Sequence, residues 1–309
     1  MIRKFNNFCN ATITGVAAIL MWSGCGQPVS SQDGPQLYET QAFKDYWFAG
    51  KAELNSYRLI QSRYGESREG NAMLIFVTEG FSKRKQVKLD EPEAAGTDKV
   101  SVLKLNFTKN FVTGIYPYSM MMSVFTPVSH NQFPNTLKVT MSSQEWCGHV
   151  FTQMNLRGKR YEINSYSYFE KEGDQEFERS AVLLEDELFN LIRLDPEAVP
   201  TGEVELLPGL FFTRLKHKAL ASTQANIIRT DHVDHIQFQI SYSERTLSLQ
   251  VEQSFPHKIL GWEETWTEEG QQFQTKATLN ETLITDYWRK NKEEFKYLRD
   301  SLGLSPKNY

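Results

Sequence analysis

From about residue 51 to residue 170, apolar and polar residues alternate with a period of two, the mark of strands that bury one face. "KAELNSYRLIQSRYG" and "EGNAMLIFVTEGF" read as paired strands around "GESREG". "KVSVLKLNFTKNF", "TGIYPYSMMMSVFTPV", "FPNTLKVTMSSQEWCGHVFTQMNL" and "RGKRYEINSYSYFE" continue the pattern, rich in Val, Ile, Thr, Tyr and Phe and bounded by turn residues. "FFTRLKHKALASTQANII", "HIQFQISYSERTLSLQVEQSF", "HKILGWEETWTE" and "QFQTKATLNETLI" read as four more strands. Three stretches carry the helical period instead. Residues 37–50 place Tyr38, Phe43, Tyr46 and Trp47 near one face and stop at Gly50. Residues 180–194 give a broad apolar face with Ser180 as N-cap, acids near the start and Pro196 at the close. Residues 285–304 line up Tyr287, Trp288, Phe295, Leu298 and Leu302. The pattern predicts a mainly β, β-rich α+β protein. Its centre is a large curved antiparallel sheet, as a partly open barrel or a two-sheet sandwich, with a few peripheral helices. No internal repeat and no Pro/Ser linker divides 37–304, so residues 37–309 are expected to form a single β-rich domain.

The first 36 residues break this rhythm. "MIRK" supplies positive charge, "ATITGVAAILMW" is an apolar run of about 12 residues, and "SGC" ends it at Cys25. The run is too short for a membrane span, which needs about 20 apolar residues. Small residues before a cysteine resemble the lipobox of bacterial lipoproteins, with Trp22 where that motif usually has Leu. Residues 1–24 are therefore expected to be a signal peptide, and 25–36 a tether lipidated at Cys25. The polar stretch "GQPVSSQDGPQ" is flexible enough to stand the domain off a membrane. The expectation is an exported protein, lipid-anchored to the cell envelope at the outer membrane. Cys9 leaves with the signal and Cys25 carries lipid, so Cys147 is the lone thiol of the mature chain.

Composition adds one exclusion. The net charge is -4 and falls to about -6 without Arg3 and Lys4, so nucleic acid is not an expected partner. The densest basic cluster, "SKRKQVK" (82–88), reads as a solvated hairpin edge. No HExxH, CxxC, GxSxG or phosphate-binding loop occurs, and no metal or cofactor is expected.

Four stretches carry candidate chemistry. In "SSQEWCGHVF", a regular strand would set Glu145, Cys147 and His149 in a row, a conceivable nucleophile, base and acid; the competing reading is a packed strand. "YPYSMMMSVFTPV" offers Met120, Met121 and Met122 as an adaptable apolar lining or as a buried strand. In "GWEETW", Trp262, Glu264 and Trp266 share one strand face, suited to a sugar-binding or acid–base wall. In "DHVDHIQF", Asp231, His232, Asp234 and His235 are metal-ligand types, but strand geometry sends the two histidines to opposite sides, and a solvated turn is expected.

The stretches "YWFAGKAELNSYRLIQSRYGESREGNAMLIFVTEGFS", "KLNFTKNFVTGIYPYSMM", "SSQEWCGHVFTQMN", "SYFEKEGDQEF" and "LEDELFNLIRLDPEAVPTG" resemble a family of secreted lipoproteins of Bacteroidota-type bacteria, often labelled "septum formation inhibitor Maf". The nucleotide pyrophosphatases that share that label are cytoplasmic α/β proteins with a Ser-Pro-Arg-rich motif, which this chain lacks. The resemblance implies an envelope location and a β-rich fold; it assigns no catalytic residue. The expected function is a binding or scaffolding lipoprotein for an apolar or glycan ligand, with Met120, Met121, Met122, Trp262 and Trp266 as its lining. The alternative is a cysteine-dependent hydrolase using Cys147, His149 and Glu145.

Overall fold

The computed structural model describes residues 37–243 and 245–304; the expected signal peptide, Cys25 and the tether lie outside the described residues. Sixteen strands form one sheet. In chain order they are β1 (Ala52–Arg63), β2 (Glu66–Ser82), β3 (Val87–Lys88), β4 (Lys99–Thr113), β5 (Tyr116–Pro127), β6 (Lys138–Glu145), β7 (Gly148–Arg157), β8 (Arg160–Ser167), β9 (Gln175–Ser180), β10 (Leu183–Leu184), β11 (Gly202–Leu207), β12 (Thr223–Asp231), β13 (His235–Tyr242), β14 (Arg245–Glu252), β15 (Ile259–Glu268) and β16 (Gln271–Thr285). The helices are α1 (Gln41–Trp47), α2 (Leu188–Leu194), α3 (Leu210–Leu215) and α4 (Tyr297–Ser301).

Across the sheet the order is β10-β11-β12-β13-β14-β15-β16-β1-β2-β4-β5-β6-β7-β8-β9, with the short β3 beside β2. The chain's two halves meet in the middle, where β1 pairs antiparallel with β16 from Ala52↔Thr285 to Ile60↔Lys276. The two edges, β9 and β10, are joined by only Ala181 and Val182. Three residue steps span at most about 11 Å, so the edges are brought close and the sheet is curled into an open barrel. A cross-barrel contact agrees. Strands β4 and β15 are four places apart in the sheet, about 19 Å if flat, yet the Phe107 and Trp262 rings lie 5.1 Å apart.

The inner face carries the apolar stripe. In β4 the inward positions are Leu103, Leu105, Phe107, Lys109 and Phe111, all buried. Two helices fill the interior rather than lying at the periphery. Every residue of α2 and of α3 is buried. Their polar side chains find acceptors, as burial demands, although Asn190 Oδ1 is left without a partner. Asn190 donates to the carbonyl of Leu103 at 3.1 Å and to Thr126 Oγ1 at 3.0 Å. Thr213 donates back to the Gly209 carbonyl at 3.2 Å.

Three elements differ from their sequence patterns. The helix expected over 180–194 is confined to 188–194, because Leu183–Leu184 join a parallel ladder with Leu206–Leu207 and Glu185–Glu187 form a 3-10 turn. "FFTRL", expected as a strand, is helix α3, because its apolar residues meet the barrel interior on all sides. The C-terminal stretch is two 3-10 turns and the short α4; Leu302 packs on the outer face of the sheet against Ala52, Leu54, Met73 and Val77. The N-terminal helix forms as expected. Thr40 caps it by accepting from Phe43 N at 3.2 Å, and buried Phe43 and Trp47 close the barrel end where β1 begins.

A candidate ligand pocket at the barrel mouth

The barrel buries two ion-pair clusters, one towards each end. At the closed end, Arg193 of α2 grips Glu53 of β1 with two bonds of 2.5 and 2.7 Å. Asn55 donates to Glu53 Oε1 at 2.6 Å, and Tyr46 donates to Oε2. Arg193 Nε donates to the Pro256 carbonyl at 3.0 Å, and its guanidinium lies over Trp47 and Phe76. Both carboxylate oxygens are doubly satisfied. Burial works against the charge of Glu53, but Arg193 prevails and holds its pKa below the ordinary range.

Towards the open end, Glu264 of β15 accepts from Lys109 of β4 at 2.9 Å and from Arg245 of β14 at 3.1 Å. Arg245 also binds Glu185 at 2.5 Å, and Tyr242 donates to the same Glu185 oxygen at 2.6 Å. Burial opposes the charge on Glu264, yet Lys109 and Arg245 hold its pKa down at about 2. Next to Glu185, Asp186 is pushed the other way. Burial, then the Glu185 charge, raise its pKa to about 8, so it keeps its proton at neutral pH. Asp186 Oδ2 accepts from Leu210 N, the first residue of α3, at 3.0 Å. Gly209 makes this approach possible, since a Cβ there would sit 2.6 Å from Glu185 Oε1.

Above this second cluster the barrel opens into a pocket of about 270 Å³. Lys109 and Glu264 are on its floor, Phe212, Trp266 and Phe273 on one wall, Gln61 on another, and Arg63, Tyr64, Lys216 and His217 at its lip. Trp266 and Phe273 stack at 5.8 Å. Lys216 braces that wall, 4.3 Å from the Trp266 ring centre, while donating to Glu268 at 2.6 Å. Gln61 Nε2 donates to Thr275 at 2.9 Å, but Gln61 Oε1 is buried without a partner, as are Arg245 Nε and Trp266 Nε1. Two further pockets adjoin around the end of α3. One of about 340 Å³ shares Phe212, Lys216 and Trp266; one of about 230 Å³ shares His217. His217 is oriented by Glu172, Nδ1 to Oε1 at 2.7 Å, and Glu172 is fixed by Arg214 and Ser167 at 2.6 Å each.

No protein-family model matches the chain, and no curated protein matches it. Among solved structures, it is similar to the crystal structure of a beta-barrel-like protein of a domain of unknown function, DUF1849, from Brucella abortus. The identity is 7 %, the TM-score 0.43, and the alignment covers 76 % of this chain and 98 % of that one.

The residues singled out in the sequence fall in different places. Trp266 and Glu264 line the pocket. Trp262, two residues deeper on the same face, packs against Tyr57, Phe107 and Phe189 in the core. Met120 and Met122 are buried inside with it, whereas Met121 faces out from the sheet, as strand alternation requires. The five residues thus do not form one lining.

The row Glu145–Cys147–His149 does not form either. Trp146–Cys147 is the two-residue turn of the β6–β7 hairpin, which pairs Glu145 with Gly148 and Gln144 with His149. Cys147 is exposed, and its backbone N–H donates to Glu145 Oε2 at 2.9 Å. A separate hydrogen bond from the thiol itself to the Glu145 carboxylate pushes the thiol pKa up, the opposite of an activated nucleophile. His232 and His235 flank the β12–β13 turn, and that turn stacks their rings at 4.5 Å, so they do not point apart. His235 is engaged by Asp234 at 2.8 Å. Among the described residues no cluster has metal-binding geometry.

Sequence reasoning missed Lys109, Arg245, Gln61 and Arg63. The signal was present for two of them. Lys109 falls on the inward stripe between Phe107 and Phe111, and Arg245 on that of Leu247 and Leu249. A charge on an apolar stripe announces a buried partner.

Proposed function

We propose that this protein is an envelope lipoprotein, tethered through Cys25, that binds a glycan at the open end of its barrel. The observation that carries the reading is the pocket itself. An aromatic wall of Phe212, Trp266 and Phe273 stands over an ion-pair floor of Lys109 and Glu264, beside a buried Gln61 oxygen that lacks a partner. This mixture separates the two ligand classes suggested by the sequence. An alkyl chain seated here would leave the Gln61 oxygen without a partner, at a cost of about 1–3 kcal/mol, and would add nothing to the Lys109–Glu264 ion pair. A sugar presents hydroxyls to those groups and C–H edges to the aromatic wall. The lipid anchor rests on the sequence alone, through "SGC" and the tether that follows. Calorimetric titration of residues 27–309 with saccharides tests the binding reading. Binding is expected, and Gln61→Leu is expected to weaken it about tenfold, the loss of one well-placed hydrogen bond. Binding of fatty acids with no saccharide response overturns it. Mass spectrometry of the N-terminal peptide from membranes tests the anchor, with acyl chains expected on Cys25.

A further inference from the structure

Of the strand connections at the open rim, four, consecutive around the sheet, carry aromatic side chains. The β1–β2 turn carries Tyr64, the β4–β5 turn is flanked by Tyr116 and Tyr118, the β6–β7 turn carries Trp146, and the β8–β9 loop carries Tyr168 and Phe169. These rings form an arc in two runs, Tyr64 to Trp146 and Tyr168 to Phe169, with Gly148 between them. Tyr64 and Tyr118 share a hydroxyl–hydroxyl bond of 2.8 Å. Tyr118 and Tyr116 lie 5.9 Å apart between ring centres, and Tyr116 and Trp146 lie 6.5 Å apart. Tyr168 lies against Gly148 at the foot of the next hairpin, where any side chain would collide with its ring. Phe169 meets Tyr168 at 5.5 Å and His217 at 5.0 Å. The arc starts at Tyr64 in the pocket and ends at His217, at the lip of the same pocket. Tyr64, Trp146 and Tyr168 are nonetheless 58, 68 and 64 % exposed.

Exposed aromatics in a contiguous patch mark a surface that meets a partner. Here the rings are also held in place. Tyr64 adopts a φ of +55°, a conformation that a bulky residue rarely takes, and Arg63 sits 4.1 Å from its ring centre. Most of the arc is tyrosine, so it presents both apolar faces and hydroxyls, the pairing that the pocket presents on a smaller scale.

We propose that the mouth binds a glycan chain rather than a single sugar. One unit sits in the pocket over Lys109 and Glu264, and the following units lie across Tyr64, Tyr116, Trp146 and Tyr168. This rests on the glycan reading of the pocket and extends it to a ligand length. The test uses oligosaccharide ladders derived from cellulose, chitin and starch, of roughly one to six units, titrated into residues 27–309. Affinity is expected to climb by about tenfold or more with length, since each added contact of about 1.4 kcal/mol multiplies it by that factor. The double variant Trp146→Ala/Tyr168→Ala is expected to lose that climb and keep the affinity of the shortest ligand bound. Gln61→Leu is expected to weaken every length. Length-independent binding that still depends on Gln61 overturns the chain proposal and leaves the pocket reading standing. No saccharide binding overturns both. The same proteins are floated with vesicles of phosphatidylcholine and phosphatidylglycerol; vesicle binding that the double variant abolishes, without a length effect on sugars, reassigns the rim to a membrane surface and overturns the proposal.

Discussion

Each half of the barrel buries a carboxylate against an arginine, and the surroundings of the two pairs differ. Glu53 at the closed end meets four donors from Arg193, Asn55 and Tyr46 and is sealed beneath Phe43 and Trp47. Glu264 meets Lys109 and Arg245, but a pocket lies above it, and Gln61 Oε1, Arg245 Nε and Trp266 Nε1 nearby have no partner. A complete network is a structural fastening. An incomplete one that faces a pocket has hydrogen-bonding capacity left for something that arrives from outside. The contrast locates the candidate site at the open end, although both clusters look alike as pairs of charges.

The strongest way to break this contrast is to remove the closed-end carboxylate. Glu53→Ala leaves Arg193 charged and buried, and is expected to cost about 3–5 kcal/mol of stability in urea denaturation. Replacing both partners with apolar residues is expected to recover most of that loss. Lys109→Met at the open end is expected to cost less, about 1–2 kcal/mol, because Arg245 still satisfies Glu264. Its larger effect is a loss of saccharide affinity of about tenfold or more. Equal destabilisation by the two variants with unchanged binding would erase the distinction between the ends.

A pH series sharpens the comparison. Burial raises the pKa of Asp186 from an ordinary 3.8 to about 8 and that of Glu187 from 4.5 to about 7. Between those limits the folded protein holds more protons than the unfolded chain, so stability falls as pH rises from about 4 to about 8. Glu264, lowered from 4.5 to about 2, acts in the opposite sense, and its contribution is lost as pH drops below about 4. The melting temperature is therefore expected to peak near pH 4–5, and Asp186→Asn to flatten the alkaline slope. An unchanged slope in that variant would remove Asp186 from the account. The smallest effect is at the outermost tip. Cys147→Ser is expected to change stability by no more than about 0.5 kcal/mol. The exposed thiol is expected to react with a thiol reagent only slowly at neutral pH, and Glu145→Gln to speed that reaction.

Much of this fold was legible in the alternation of residues. Most strands stand where the period of two placed them, and the sheet is large, curved and antiparallel except for the short β10–β11 ladder. The errors occurred where tertiary context overrode local pattern. "FFTRL" is apolar enough for a buried strand and became a helix because the barrel surrounds it. Leu183 and Leu184 fit a helix and were taken into a ladder by Leu206 and Leu207. The candidate site was half legible. Glu264 and Trp266 were found through their shared face, but Lys109 reaches them only because the sheet curls. Strand order and curvature are not written in periodicity, so partners 155 residues apart could not be matched from it. Cys147 misled for a simpler reason: a two-residue turn interrupts what reads as one strand.

The pairing of β1 with β16 has a consequence for how the protein is made. Strand β16 is hydrogen-bonded to β15 on one side and β1 on the other, and it is the last strand of this sheet to leave the ribosome. Until residues 271–285 emerge, the nascent chain holds two half-sheets with nothing between them, and β1 shows a bare edge to its neighbours. A product stopped at residue 270 would have nearly all of the core residues and still lack the strand that joins them. Such fragments are expected to recruit one another edge to edge rather than fold, which makes the emergence of residues 271–285 the step where a chaperone has most to protect.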